Sequence, residues 1–174
     1  MTTQKRFLSI ACLMVFAAIT RLVPHPFNFT AVGALALFGG AVISNKKLAF
    51  LVPMGVMLLT DSIIGFHQSM VPVYFCFAAT VFLGMWMVSK INVITVTSGA
   101  LTSSILFFLV TNLPFWYADL SLYPLTWEGT LASYTAALPF FGNQLAADLF
   151  YNATLFGVYA LVNRRFVATV NQQA

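Results

Sequence analysis

Long apolar runs separated by short polar breaks repeat along the whole chain, with lengths that suit membrane-spanning helices better than a soluble core. Six spans are predicted, at about residues 7–23, 29–44, 48–66, 70–88, 91–112 and 143–162. The first break is the loop Pro24-His25-Pro26-Phe27-Asn28, because a residue before proline is pushed away from helical geometry. The second span is short and rich in small residues. Ala36 and Gly40 share one of its faces and predict a close helix–helix approach. Asn45-Lys46-Lys47 closes that span, and Pro53 predicts a kink near the start of the third. His67-Gln68-Ser69 makes the next bend. Pro72 then falls in the first turn of the fourth span, where its missing donor does no harm, and Ser89-Lys90 ends that span.

The longest connection, about residues 113–128, carries Trp116, Tyr117, Tyr123 and Trp127, which suit either an interfacial belt or a lid over a ligand. A weaker apolar stretch follows from Gly129 to Phe141, interrupted by Pro139. It is too short to span alone and reads as a re-entrant piece or the start of a broken sixth helix. Asn163-Arg164-Arg165 ends the last span.

Composition agrees with the pattern. Of 174 residues 60% are apolar and 7% charged, with a mean hydropathy of +0.91, where soluble domains carry about 25% charged residues. The expected class is therefore all-α, one polytopic membrane domain over 1–174 with six transmembrane helices and the lipid bilayer as its main surroundings. Lys5 and Arg6 before an apolar run imitate a secretory leader, but the run continues to Val23 and is read as a retained first span. With the N-terminus in the cytoplasm, Lys5, Arg6, Lys46, Lys47, Lys90, Arg164 and Arg165 all lie inside and Arg21 alone lies outside. That asymmetry places both termini in the cytoplasm. These basic residues flank spans and form no patch, so nucleic-acid binding has no support. No phosphate loop ending in Gly-Lys-Ser/Thr, no His-Glu-x-x-His signature and no nucleophile elbow occurs.

The candidate chemistry falls on the outer half of the predicted bundle. Asp61 lies about five residues before the bend at His67 and Cys76 about six after the next span begins, so both sit about 8–9 Å into the membrane. Asp148 enters the last span at similar depth. Intramembrane acids tend to face a bundle interior or cavity, which predicts an outward-facing polar pocket under the first, third and fifth loops. Asp61 has a second reading, as an acid paired with Arg21 near a helix end. Asp148 and Asn152 share a face one turn apart, and with Asn143 they serve helix–helix contact as well as ligand binding. Cys76 reads as packing or as a soft metal ligand, and Cys12 as packing. His25 is either a rigid loop residue or an imidazole held over the pocket mouth, and His67 an interfacial residue.

The runs Leu22-Val23-Pro24-His25-Pro26-Phe27-Asn28-Phe29-Thr30 and Gly33 to Ala41 (GALALFGGA) resemble a family of small six-span bacterial membrane proteins. These are similar to the substrate-binding S-components of energy-coupling factor vitamin transporters. Thr60-Asp61, Gly65-Phe66-His67, Thr111-Asn112, Trp116-Tyr117 and Ala137-Leu138-Pro139-Phe140-Phe141 with Asn143 extend the match over nearly the whole chain. Within that family a cysteine at the position of Cys76 resembles the solitary cobalamin transporters, in which the thiol is a cobalt ligand. The resemblance thus implies an inner-membrane protein that binds cobalamin from outside. Cys76 would lie on cobalt, with removal of the vitamin's upper ligand as an accompanying chemistry. Asp61, Tyr74, Asn28 and Asn112 would line the site with Asn143 and Asp148, and His25, Trp116 and Tyr117 would cover it.

The first span departs from the family's alanine-x-x-x-alanine docking motif. Ala11 is followed four on by Val15, and Ala17 and Ala18 by Arg21 and Leu22, which favours a solitary protein over one using a shared energy-coupling module. Two further readings stand beside this one. The first is an S-component for another small vitamin, with Cys76 merely packing. The second is a membrane enzyme using Asp61, His25 and Cys76. A structural subunit without ligand is the plainest alternative.

Overall fold

The computed structural model describes residues 3–117 and 121–171, with side chains described for residues 8–117 and 121–162. The expectations that rest on Asp119, and on the side chains of Lys5, Arg6, Arg164 and Arg165, lie outside these. The described residues form six α-helices: α1 (Thr3–Leu22), α2 (Val32–Val42), α3 (Lys46–Ile64), α4 (Met70–Met87), α5 (Val93–Thr111) and α6 (Trp127–Asn171). Among the described residues there is no strand. Asn45 opens α3 by accepting from the amides of Lys47 and Leu48, and Asn92 opens α5 in a reciprocal box with Thr95. The loops after α1, α3 and α5 gather at one end of the bundle, termed here the His25 end.

Among the described residues four helices, α3 to α6, are long and apolar enough to cross a membrane. The second predicted span is corrected. Only Val32–Val42 is helical, and at about 1.5 Å per residue its eleven residues reach about 16 Å, half of the ~30 Å hydrocarbon core. Nine of those residues are buried, so α2 faces protein rather than lipid. It touches all five other helices, α4 most extensively. A half-length helix with non-helical backbone at both ends is tolerated at such depth only where protein encloses it. The apolar described part of α1, Leu8–Leu22, is also shorter than a full span.

Glycine makes the α2–α4 contact possible. A Cβ on Gly40 would overlap the carbonyl of Val81, and one on Gly84 would overlap the carbonyl of Leu37. The predicted small-residue face is thus realised as backbone against backbone, with Ala36 fully buried on the same helix.

The re-entrant expectation for 129–141 is also corrected. That stretch is the first part of α6, which runs without a break from Trp127 through Pro139. The apolar part, Trp127–Val162, has 36 residues and would measure about 54 Å, well beyond a ~30 Å core. Its first turns therefore extend past the end of α5. Ser133 Oγ donates to the Asn112 carbonyl at 2.8 Å and so holds this extension to the end of α5.

Candidate functional site

Two polar clusters lie inside the apolar bundle, both toward the His25 end. In the first, Arg21 at the end of α1 reaches the last turns of α3. Its guanidinium meets Asp61 Oδ1 at 2.6 Å, donates to Thr60 Oγ1 and contacts the Met57 carbonyl at 3.4 Å. Tyr74 on α4 donates its hydroxyl to Asp61 Oδ2 at 2.7 Å. Asp61 Oδ1 lies outside hydrogen-bond angles, yet at 2.6 Å the charge contact supplies its partner. His67 Nε2 stands 3.9 Å from the same oxygen, on an exposed imidazole. The pairing of Asp61 with Arg21, one of two readings open in the sequence, is therefore made. It ties α1, α3 and α4 together around a carboxyl only 1% exposed.

The second cluster joins α5 and α6. Ser104 Oγ lies 2.7 Å from Asp148 Oδ2, and the Gln144 amide also bonds this carboxyl. Asn152, one turn further along, donates from Nδ2 to the Asp148 carbonyl at 2.7 Å, and its buried Oδ1 has no partner. Gly33 of α2 closes the third side, since a Cβ there would collide with Asp148 Oδ1. Gln144 and Ser104 were not singled out in the sequence. Gln144 stands four residues before Asp148 and thus shares its helix face, a signal the spacing did contain. Nothing comparable marked Ser104.

Above these clusters the α1–α2 loop is held by its own bonds. His25 Nδ1 lies 2.7 Å from the Val23 carbonyl. A carbonyl only accepts, so Nδ1 carries the proton of this bond. Asn28 adopts φ 62°, a left-handed conformation that asparagine tolerates better than most residues. Trp116 and Tyr117 are anchored to the end of α5. The Trp116 indole donates to the Val110 carbonyl at 2.7 Å, and the Tyr117 hydroxyl reaches Asn112 Oδ1 at 3.4 Å.

A cleft of about 60 Å³ opens among Asn28, Thr111, Asn112 and Gln144, walled by Phe107, Phe108, Phe140 and Phe141. Asn143, beside Gln144, is half-buried. Cys76 lies on the buried side of α4 at 1% exposure, with its backbone carbonyl accepting from Thr80. Cys12, expected to pack, is exposed on α1. Among the described residues, no three His, Cys, Asp or Glu side chains converge as a metal-binding group.

A family model matches residues 1–171. The chain belongs to this family, a family of unknown function (DUF6580). No curated protein and no solved structure matches it. Both polar clusters, the His25 loop and the glycine contact of α2 with α4 fall within the part of the chain that the DUF6580 match covers.

Proposed function

We propose that the protein is a six-helix, S-component-like importer of the bacterial inner membrane, with both termini in the cytoplasm. It takes up cobalamin from outside through the His25 end. The observation that carries this reading is the buried thiol of Cys76, 1% exposed on α4, in an interior where, among the described residues, no three His, Cys, Asp or Glu side chains converge. A protein-built metal site needs three or four converging ligands. A metal already held by four equatorial nitrogens of a macrocycle needs only an axial one, and a soft thiolate is competent for cobalt. The residues that resemble the solitary cobalamin transporters add to this.

In this reading Cys76 is the axial ligand. Asn28, Asn112 and Gln144, around the cleft, offer amides to the corrin's own amide side chains. Asp61 and Tyr74 serve by bracing α3 and α4, because each is already bonded to the other. The corrin is far larger than the cleft, since small-molecule sites commonly hold ~300–1,000 Å³. Uptake therefore involves separation of α5 and α6 at the His25 end. The thiolate's electron donation would loosen an upper ligand such as cyanide, which would leave with its electron pair as the free anion while cobalt keeps its oxidation state, so removal of that ligand belongs to the same proposal.

Titration of the purified full-length protein with cobalamin, followed in the visible spectrum, tests the proposal. Binding with a displaced lower base and a thiolate-type spectrum is expected, with the spectrum altered in Cys76→Ala. Binding with the same spectrum in both proteins would remove the cobalt-ligand role, and no binding in either would remove the vitamin.

A further inference from the structure

Asp148 is 3% exposed and has no cation beside it. The helices packed most closely on α6, α2 and α5, carry no ionisable side chain. At the His25 end Arg21 is committed to Asp61 and Thr60, His25 is bonded to the Val23 carbonyl, and His67 stands beside Asp61 and Ser69. Tyr151, on α6 itself, packs its ring on Phe16 and Phe29. Cys76 and Tyr74 belong to α4, and Tyr74 is bonded to Asp61. A carboxylate in these surroundings would be an uncompensated buried charge.

The hydrogen count points the same way. Ser104 has one hydroxyl proton but two acceptor contacts, the Ala100 carbonyl at 2.9 Å and Asp148 Oδ2 at 2.7 Å. A proton on Asp148 resolves the conflict: the carboxyl donates to Ser104, and Ser104 donates to Ala100. Gln144 bonds the carboxyl and also lines the cleft at the His25 end, so it connects the acid to the outer surface. The orphaned Asn152 Oδ1, one turn deeper, is a further unpaired acceptor on the same helix face.

We infer that Asp148 with Ser104 and Gln144 forms a proton-binding site: the carboxyl is occupied by a proton while α5 and α6 are closed. It gives that proton to water when the cleft opens. The O–H bond broken is that of the carboxyl, and the proton returns when the site closes. Such a site lets the pH on the His25 side of the membrane bias the two states of the bundle. The inference needs only a membrane-embedded bundle and stands or falls independently of the vitamin.

Infrared difference spectroscopy of the full-length protein in lipid vesicles, without added solute, tests it. At neutral pH the carbonyl stretch of a protonated carboxylic acid is expected. It should move on labelling with carbon-13 aspartate, disappear in Asp148→Asn and persist in Asp61→Asn. Ser104→Ala, which leaves the acid in place, should shift the band by removing its acceptor. A spectrum without this band, a band indifferent to Asp148→Asn and to Ser104→Ala, or one that responds to sodium at fixed pH would overturn the proton site.

Discussion

Replacing Arg21 by methionine keeps most of the side chain's apolar stem but leaves the Asp61 carboxyl buried without its cation. Removing one partner of a buried ion pair costs about 3–5 kcal/mol. The guanidinium side chain is 16% exposed, so the low end, about 3 kcal/mol, applies. The bonds to Thr60 and the Met57 carbonyl are lost with it, and that loss is contained in the same figure. For a chain of this size, 1 kcal/mol moves the midpoint by about 2–4 °C, so Arg21→Met should unfold about 6–12 °C lower. The decisive variant is Arg21→Met with Asp61→Asn. Asparagine still accepts from Tyr74 but carries no charge, so the double variant should recover at least about 2 kcal/mol relative to the summed single losses. Thermal unfolding in detergent micelles reads all four proteins. Strict additivity of the two single losses would refute the ion pair as the tie between α1 and α3.

Gly40→Ala should destabilise by about 1–3 kcal/mol, because the methyl meets the Val81 carbonyl, a backbone atom that cannot swing aside. The same thermal assay checks it, and an unchanged midpoint would mean α2 and α4 lie further apart. Asn28→Gly should fold with a native midpoint, whereas Asn28→Val, forced to φ 62°, should lose about 1–2 kcal/mol. Tyr74→Phe removes one hydrogen bond to a charged acceptor and should cost about 1.5 kcal/mol, with that loss abolished in an Asp61→Leu background.

The fold was legible where a run of apolar residues had only one thing to do. The helices α3, α4 and α5 begin and end within a few residues of the polar breaks that predicted them, with Asn45 and Asn92 acting as caps. Two elements were misjudged for physical reasons. The apolar run around α2 is as greasy as a lipid-facing span, but hydropathy does not distinguish contact with lipid from contact with five neighbouring helices. Pro139 looked like a break, yet a helix interior gives up a single amide bond to proline and continues where its neighbours hold it.

The candidate site divides in a similar way. Asp61 and Asp148 were visible because acids inside an apolar run stand out, whereas Tyr74, Asn28 and Asn112 entered only through the family resemblance. Ser104 was not visible, because a small hydroxyl in a membrane helix is unremarkable until a partner from another helix arrives. The pairing of Asp61 with Arg21 spans 40 residues of sequence, and no local pattern encodes it.

Purifying the full-length protein from cells grown with cobalamin asks whether this bundle holds a corrin by one sulfur. Its visible spectrum and its cobalt content should be measured together. About one cobalt per chain is predicted, with a corrin spectrum that changes when Cys76 is replaced by alanine. A colourless, cobalt-free protein would contradict it.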